Sequence, residues 1–284
     1  MGAGSTDPLR LGLIGDPVAH SISPAMQGAG LAALGITATY ELWPTPTCQL
    51  PARIAGLRAP DVLGANVTVP HKGAVMDLLD EVSPLARRAG AVNTIVHRDG
   101  VLSGDNTDVH GFATGLGAVC RNPGSRAALI LGAGGAARAV ILALEAMGVA
   151  RITIANRTPE RAARLAEDLR PTSLRATGAD AATLAREIRS ASLLVNATSA
   201  GWHPGETPVA PELLRLLPRN AIVVDLTYRD TEFLRNARLL GLRTLDGLPM
   251  LVHQGARALA LWTGRPAPLA AMLAAAERAR EERR

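Results

Sequence analysis

Short apolar runs alternate with amphipathic stretches over the first hundred residues, and this pattern predicts alternating strands and helices. The predicted strands are Leu9–Gly15, Thr37–Trp43, Val62–Val69, Val92–His97 and Val101–Ser103. The last two flank Arg98-Asp99-Gly100, which is typical of a hairpin turn. The predicted helices start at Ser23 (as N-cap, with Pro24 at N1), after Pro44, at Lys72 and at Pro84, and they end near Gly35, Arg58, Leu79 and Ala89.

The alternation becomes more regular in the second half of the chain. The predicted strands are Ala128–Leu131, Arg151–Ala155, Leu193–Val195, Ile222–Leu226 and Leu242–Thr244. The predicted helices are Asp108–Cys120, Gly135–Met147, Pro159–Leu169, Leu248–Trp262 and Ala267–Arg280. Strands that alternate with helices favour an α/β fold with parallel, doubly wound sheets. A length of 284 residues favours two domains. The last two predicted helices form a stretch without strands, and we expect them to pack on the first domain.

Composition excludes several classes of protein. With 48% hydrophobic and 19% charged residues, the chain is globular rather than disordered or fibrous. Its two cysteines, Cys48 and Cys120, lie far apart, so neither a disulfide framework nor a metal site is expected. No apolar run reaches the ~18 residues of a membrane span, and Met1–Arg10 lacks the apolar core of a signal peptide. We therefore expect a cytoplasmic protein that does not bind membranes.

The positive charge does not indicate a nucleic-acid partner. The net charge is +5, but the arginines are scattered among acidic residues. Only seven aromatic residues are available to stack on bases, and no basic stripe is present. A small-molecule partner is the better interpretation.

Lysine usage is more informative than net charge. The chain has 29 arginines and a single lysine, Lys72. Wherever any positive charge would serve, this sequence uses arginine. A lone lysine therefore indicates a place where a proton must be released, which a guanidinium cannot do at ordinary pH. The alternative is a surface lysine that has persisted by chance.

A glycine-rich segment lies between a predicted strand and a predicted helix. Gly132, Gly134 and Ala137 fit G-x-G-x-x-G/A, in which glycines let the backbone approach a pyrophosphate at a helix N-terminus. This context favours a dinucleotide site over a merely tight turn. The residues expected to form the loop are Gly132, Ala133, Gly134, Gly135 and Ala136.

The next strand ends without the acid that an NAD site would carry there. Asn156 stands in that place, followed by Arg157, Thr158 and Arg161. A carboxylate would repel a 2′-phosphate, whereas a guanidinium matches phosphate oxygens in a fork. This pattern predicts NADP(H), and the alternative is that both arginines are solvated. Asn196 and Thr198, after another strand, either border the cofactor or cap a turn.

Neutral polar residues cluster in a few short segments that are surrounded by apolar sequence. Five of the eight asparagines fall in these clusters or in the cofactor segments: Asn66, Asn93, Asn106, Asn156 and Asn196. Thr68 shares a strand face with Asn66, and Ser21 and Ser23 follow the first strand. Reduction of a ketone also needs a proton donor, for which Lys72 beside the carboxylate of Asp108 is suited. The alternatives are a surface Lys72, Asp108 as a helix N-cap, and His20, His71 or His253 as the acid–base group.

Taken together, the motifs resemble those of the shikimate dehydrogenase family. The matching segments are Gly15–Pro24, Gly64–Lys72, Ala89–Thr94, Gly104–Asp108, Gly132–Ala136, Asn156–Thr158, Asn196–Ser199 and Asp246–Gln254. The resemblance implies NADPH-dependent reduction of 3-dehydroshikimate to shikimate in aromatic amino-acid biosynthesis, with Lys72 and Asp108 as the catalytic pair.

The resemblance also implies roles for the remaining site residues. Ser21 and Ser23 would hold the substrate carboxylate, and Asn66, Thr68, Asn93 and Gln254 its hydroxyls. Tyr228 would lie beside the substrate, and Gly247 would join the cofactor set. The implied division is a substrate domain of residues 1–107 and 247–284 and a Rossmann-type NADP-binding domain of residues 108–246.

Some alternatives stay open within this resemblance. Ile22 and Val109-His110 depart from the family pattern, and members that act on quinate or aminoshikimate share most of it. A quinate/shikimate dehydrogenase with relaxed cofactor use is one alternative, although Asn156-Arg157 argues against it. A non-catalytic NADPH-binding regulator is another, although it would not need Lys72 and Asp108. We expect a monomer or a homodimer.

Overall fold

The computed structural model describes residues 8–170, 174–203 and 205–283. The signal-peptide expectation falls mostly on residues 1–7, which lie outside this part. Backbone contacts divide the chain into two compact units, Met1–Thr107 with Val252–Arg284, and Asp108–Leu251. We expected the division near Asp246. No helix in the described ranges is both long and apolar enough to cross a membrane.

The described residues form two six-stranded sheets and the helices that pack on them. In chain order the strands are β1 Leu9–Gly15, β2 Ala38–Pro44, β3 Val62–Val67, β4 Glu81–Val82, β5 Thr94–Arg98, β6 Val101–Asp105, β7 Ala127–Leu131, β8 Arg151–Asn156, β9 Leu174–Gly178, β10 Leu193–Asn196, β11 Ile222–Asp225 and β12 Arg243–Leu245. The helices are α1 Ser23–Ala33, α2 Leu50–Gly56, α3 Pro84–Ala89, α4 Asp108–Val119, α5 Gly135–Ala146, α6 Pro159–Leu169, α7 Ala181–Ser190, α8 Pro211–Leu214, α9 Glu232–Leu239, α10 Leu248–Thr263 and α11 Leu269–Glu281.

The sheet of the first unit is mixed, with the order β2-β1-β3-β5-β6-β4. β1 pairs in parallel with β2 and β3, while β5 is antiparallel to β3 and β6. The β5–β6 hairpin turns at Asp99 and Gly100, whose φ angles of 50° and 81° are those of the tight turn predicted from Asp-Gly. The buried face of this sheet carries Ile14, Val67 and Ile95.

The C-terminal helices pack within the first unit, as expected. A Cβ atom added at Gly30 of α1 would lie 2.6 Å from Leu259 of α10 and 3.1 Å from Met272 of α11, so glycine permits this close packing. The indole nitrogen of Trp262 donates to the carbonyl of Ile95 (2.8 Å), which ties α10 to β5. The described part of the chain therefore returns to its first unit after the second is complete.

The second unit contains an all-parallel sheet with the order β12-β11-β10-β7-β8-β9. The chain leaves β7 toward one edge and returns to β10 on the other side, which is the doubly wound arrangement of dinucleotide-binding domains. Its central strands β7, β8, β10 and β11 are largely buried on both faces, because helices cover both sides of a parallel sheet. The predicted α/β fold with a Rossmann-type second domain is confirmed.

Several sequence predictions about local structure are wrong. Ser23 is not an N-cap: α1 begins at Ser23 after Ile22, and the backbone N–H of Ser23 donates to Ser21 Oγ (3.2 Å). The predicted helix Lys72–Leu79 is a 3₁₀ helix over Ala74–Leu78. The helix expected after Pro44 is split into a 3₁₀ turn, Thr47–Gln49, and α2. Pro44 itself belongs to β2 rather than following it.

Five elements had no counterpart in the sequence prediction: β4, β9, α7, α8 and α9. β4 and β9 are edge strands, and their half-exposed residues lack the apolar run that marks a central strand. α7 and α9 carried a usable signal, since Asp180 and Thr231 cap them through side-chain oxygens. Leu184 and Ile188 of α7 are also four residues apart on its buried side.

Candidate functional site

Polar segments of the first unit meet at one edge of its sheet. β1 and β3 are parallel, so their carboxyl ends lie at the same edge. β5 is antiparallel to β3, and β6 is antiparallel to β5, so the start of β5 and the end of β6 lie there too. Asn66 is paired with Thr94, and Thr94 with Asp105. This edge brings together the sequence clusters around residues 21–23, 66–72, 93–94 and 105–107.

Asn66 is held at this edge by hydrogen bonds from three directions. The hydroxyl of Tyr40 donates to its Oδ1 (2.7 Å), and its Nδ2 donates to the carbonyl of Asn93 and to Thr94 Oγ1, both at 3.1 Å. Burial raises the pKa of Tyr40, which keeps this hydroxyl a neutral donor. Among the described residues these bonds use both amide protons of Asn66. A ligand hydroxyl would therefore have to donate to Asn66 Oδ1.

Asn93, Thr107 and Gln254 form a buried network beside Asn66. Asn93 Nδ2 donates to Thr107 Oγ1 (3.0 Å) and to Gln254 Oε1 (3.2 Å). The backbone N–H of Thr107 donates to Asn93 Oδ1 (2.7 Å). These bonds join the start of β5, the end of β6 and helix α10, so three elements fix one polar surface. Thr107 is 1% exposed, and the sequence reasoning did not give it a role.

The two serines form a pair of hydroxyls at the start of α1. Ser21 Oγ donates to Ser23 Oγ at 3.0 Å. Ser21 is half-buried and Ser23 is buried. Thr68, half-buried just beyond β3, is fixed by its backbone N–H, which donates to the carbonyl of Ile14 (2.8 Å). Neutral donors, rather than arginines, thus line this side of the sheet edge.

Lys72 leaves the same edge, four residues after Thr68. Its carbonyl accepts from the backbone N–H of Val92 (2.7 Å), which ties the segment to the strand that precedes β5. The neighbouring His71 is buried, and its ring nitrogen Nε2 lies 2.6 Å from the carbonyl of Thr45. His71 therefore anchors the segment, and the Lys72 side chain beside it is half-buried.

A second polar edge lies in the second unit, at the carboxyl ends of its parallel strands. Because all six strands run the same way, the segments after β7, β8, β10, β11 and β12 emerge together. The chain order reverses between β7 and β10, and ligands bind at such a switch point in open α/β sheets. The predicted cofactor residues lie at or just after the ends of β7, β8, β10 and β12.

The loop after β7 has the shape that a pyrophosphate needs. Gly132 has a φ of 102°, and a Cβ atom there would lie 2.9 Å from Thr198 Cγ2. A Cβ atom at Gly134 or Gly135 would meet nothing within 4 Å, so the space over the start of α5 is open. α5 is a 12-residue helix, whose N-terminal N–H groups favour an anion. The residues present fit a dinucleotide phosphate.

The segment after β8 presents cationic rather than acidic groups. Asn156 Nδ2 donates to the carbonyl of Thr158 (2.9 Å), which closes the turn. Arg157 and Arg161 are exposed, and the only carboxylate between Asn156 and Arg161 is Glu160 in the first turn of α6. A 2′-phosphate would therefore meet guanidinium groups and no acid at the strand end.

Asn196 orders the turn after β10. Its Oδ1 accepts from the N–H (3.0 Å) and hydroxyl (2.7 Å) of Thr198, and its Nδ2 donates to Ala200 and to Asp225. The capping role considered as an alternative is thus present, and contact between Asn196 and a cofactor stays a prediction.

Tyr228 follows β11 and meets the side chain of Trp202 edge-on, with ring centroids 5.7 Å apart. The guanidinium of Arg229 lies 4.9 Å from the centroid of the Trp202 ring. Gly247, after β12, approaches the backbone so closely that a Cβ atom would lie 2.0 Å from the carbonyl oxygen of Leu226. The segments after β11 and β12 are therefore packed together.

Asp108 stands at the boundary between the two units and begins α4. It is buried and lies in the first turn, where a carboxylate interacts favourably with the helix dipole. Lys72 belongs to the first unit, so a Lys72–Asp108 pair stays a prediction.

Besides Thr107, two buried polar residues beside the site were missed from the sequence. Tyr40 lies within a strand and carried no separate signal. Asp225, an acid that ends an apolar strand, did carry one.

Three family models match successive parts of the chain. Residues 13–95 match the shikimate dehydrogenase substrate binding domain, residues 119–232 match shikimate / quinate 5-dehydrogenase, and residues 247–277 match the shikimate 5′-dehydrogenase C-terminal domain. A shikimate dehydrogenase (NADP⁺) of Symbiobacterium thermophilum is 49% identical over 94% of this chain and 92% of its own. The chain belongs to the shikimate dehydrogenase family.

Solved structures of the family extend the likeness to the backbone. Shikimate 5-dehydrogenase of Thermus thermophilus, in complex with NADP(H) and shikimate, has a TM-score of 0.86 and 45% identity, covering 95% of this chain and 99% of its own. Quinate dehydrogenase of Corynebacterium glutamicum, in complex with NAD, has a TM-score of 0.85 and 34% identity, covering 95% and 98%. The fold is thus shared by members with different substrates and cofactors.

Proposed function

We propose that this protein is an NADP-dependent shikimate dehydrogenase, which reversibly reduces 3-dehydroshikimate to shikimate in the pathway to aromatic amino acids. The observation that carries the proposal is the edge of the first sheet, where amide and hydroxyl groups surround the segment that bears the only lysine. Such a surface suits a small, polyhydroxylated carboxylic acid. The relatives described above support the same reaction.

The second unit holds the cofactor in this proposal. NADPH supplies the hydride when it is bound. Gly132 to Ala136 and the start of α5 bind the pyrophosphate through backbone N–H groups. Arg157 and Arg161 bind the 2′-phosphate, because their guanidinium groups are exposed where an NAD site would carry an acid.

The first unit holds the substrate. Ser21 and Ser23 donate to its carboxylate, and Asn66, Thr68, Asn93 and Gln254 bind its hydroxyls. Asn66 accepts rather than donates, since its amide protons are already used by the protein. Tyr228 completes the set from the segment after β11.

Lys72 exchanges the proton with the reacting oxygen. As an ammonium it donates to the oxygen that gains electron density during reduction, and as an amine it accepts the proton during oxidation. The carboxylate of Asp108 supports the ammonium form electrostatically. Arginine could not perform the second step, because it stays protonated.

We propose that the protein acts in the cytoplasm on a small molecule and not on nucleic acid, as a monomer or a homodimer. The free thiols Cys48 and Cys120 fit a reducing compartment.

The experiment is a matrix of initial rates, followed as absorbance at 340 nm. Shikimate and quinate are each oxidised with NADP⁺ and with NAD⁺ by the purified protein. The proposal expects the highest kcat/KM for shikimate with NADP⁺. A higher value for quinate or for NAD⁺ would support the quinate dehydrogenase alternative, and no turnover in any combination would support a binding protein without activity.

A further inference from the structure

Asp225 is a fully buried carboxylate for which the proposed function has no role. It is the last residue of β11 and has an exposure of 0%. It lies next to β10, since its backbone pairs with that of Asn196. Asp225 therefore sits between two of the segments that emerge at the switch point of the second sheet.

The carboxylate binds both of these segments at once. Asn196 Nδ2 and the backbone N–H of Thr227 donate to its Oδ1, each at 3.0 Å. The hydroxyl of Thr231 donates to Oδ2 at 2.8 Å. Thr231 Oγ1 in turn caps α9 by accepting from the N–H of Leu234 (3.3 Å). One side chain thus links the end of β10, the segment after β11 and the start of α9.

Two of these three links, those to Asn196 and to Thr227, lead to predicted site residues. Asn196 holds Thr198 through two hydrogen bonds, and Thr198 lies against Gly132 of the pyrophosphate loop. Thr227 immediately precedes Tyr228, whose ring packs on Trp202. The position of both segments therefore depends on a single acceptor.

The three groups that meet the carboxylate in these bonds all donate, so an acceptor is required at this position. Burial raises the pKa of Asp225, although the surrounding hydrogen bonds oppose the rise. A carboxylate in such a place is costly unless its partners are well placed. A separate capping side chain in each segment would order that segment without burying a carboxylate. It would not fix the position of one segment relative to the other.

We propose that Asp225 is a positioning residue for cofactor binding, which fixes the turn after β10 and the segment after β11 in one arrangement. The inference rests on the proposed function, because it assigns NADP(H) to this edge. Asp225 itself contacts neither the cofactor nor the substrate in this account. It acts through Asn196 and through the backbone of Thr227.

The test compares Asp225→Ala with Glu187→Ala. Glu187 is also a buried carboxylate of the second unit, but it lies on α7 and is paired with Arg175 and Arg186. The dissociation constant of NADP⁺ is measured by isothermal titration calorimetry, together with the unfolding temperature. Both variants should unfold at lower temperature. Only Asp225→Ala should bind NADP⁺ more weakly, by about tenfold or more.

Two further variants keep the result interpretable. Asp225→Asn retains an oxygen that can accept from Asn196 and Thr227, so NADP⁺ should bind within about threefold of the parent. If Asp225→Ala does not fold, Asp225→Ser replaces it, since a serine hydroxyl is too short to accept from both donors. An unchanged dissociation constant in folded Asp225→Ala or Asp225→Ser would overturn the proposal. Equal weakening in Asp225→Asn and Asp225→Ala would also overturn it.

The parent protein separates this failure from failure of the proposed function. If the parent does not bind NADP⁺, the proposed function fails, and the positioning role fails with it. If the parent binds NADP⁺ and oxidises shikimate while Asp225→Ala binds NADP⁺ equally well, only the positioning role fails.

Discussion

Arg157 is the residue on which cofactor choice is expected to depend. Its guanidinium is exposed in the turn after β8, where it can pair with a 2′-phosphate that NAD lacks. Arg157→Ala should weaken binding of NADP⁺ by roughly ten- to a hundred-fold and leave NAD⁺ nearly unchanged. Calorimetric titration with each dinucleotide measures this. Arg164→Ala, an exposed arginine further along α6, is the matched control, and equal losses for both cofactors would contradict the assignment.

Ser21 tests how the substrate is anchored. The proposed substrate surface of the first unit presents hydroxyl and amide groups, so the carboxylate is expected to be bound by neutral donors. Ser21→Ala should raise the KM for shikimate by about tenfold, which corresponds to one hydrogen bond to a charged group, with the KM for NADP⁺ unchanged. Ser103→Ala, whose hydroxyl bonds Glu81 elsewhere in the unit, should change neither constant. A shift in the KM for NADP⁺ would show that the carboxylate pocket is wrongly placed.

At the residue scale, the sequence could indicate a candidate functional residue only where its residue type was unexpected for this chain or for that position. The lone lysine, the clustered asparagines and the missing acid at position 156 are all departures from the rest of the chain. Tyr40 could not be found in this way, because an aromatic residue in a strand is ordinary. Its role comes from a partner, Asn66, that lies 26 positions away.

At the element scale, two glycines of α1 give opposite predictions. An added Cβ atom at Gly28 would meet nothing within 4 Å, whereas one at Gly30 would meet Leu259 and Met272. Gly28→Ala should raise the free energy of unfolding by about 0.5–1 kcal/mol, because alanine favours the helix. Gly30→Ala should lower it by about 1–3 kcal/mol, because the packing against α10 and α11 would have to expand. Denaturant unfolding of both variants measures the difference, and stabilisation by both would mean that the three helices are not closely packed.

Elements were predictable where a local pattern and the tertiary environment agree. β1, α3 and α6 match their predicted bounds to the residue, since proline or a buried apolar run marks each of them. Pairing direction could be inferred for the β5–β6 hairpin from Asp99 and Gly100. The edge strand β9 could not be predicted in this way, because it lacks an apolar run and is recognisable as a strand only through its pairing with β8.

At the scale of the whole molecule, paired carboxylates set the response to acid. Arg58 donates to both oxygens of Asp80 (2.8 and 2.9 Å) and lowers its pKa to about 2. The pKa of Asp61 is lowered by its bond from Arg10, and that of Glu41 by its bond from Trp43. The pKa of Asp225 is raised, so its contribution to stability changes with pH in the opposite direction. A carboxyl group whose pKa is lowered on folding stabilises the protein above its unfolded pKa, and this contribution is lost as pH falls through the folded pKa.

The expected outcome is a loss of stability in acid. The unfolding temperature should fall as pH decreases from about 4 to about 2, since unfolded carboxyl groups titrate near pH 4. Because Asp80 and Arg58 are largely exposed, added salt of about 0.5 M should reduce their part of the effect. Scanning calorimetry across this range provides the measurement. A constant unfolding temperature between pH 4 and pH 2 would contradict it.

The division into two units was foreseeable, and the arrangement of the site was foreseeable only in part. Length and the repeated strand–helix alternation predict two α/β units, and strand-free helices at the end predict a return to the first. The sequence could not show that Asn93, Thr107 and Gln254 form one network. Gln254 is 161 positions from Asn93, and only the packing of α10 on the first unit brings them together.

The central claim is that this chain oxidises shikimate with NADP⁺ and that its only lysine exchanges the proton. The most direct measurement is the turnover number for NADPH formation from shikimate by the parent and by Lys72→Arg, with NADP⁺ affinity measured in parallel. Lys72→Arg keeps the positive charge but cannot act as a base, so turnover should fall by ~10²–10⁴-fold with NADP⁺ affinity unchanged. Turnover of the arginine variant within a few-fold of the parent would contradict the proton-exchange role, and absence of NADPH formation by the parent would contradict the function itself.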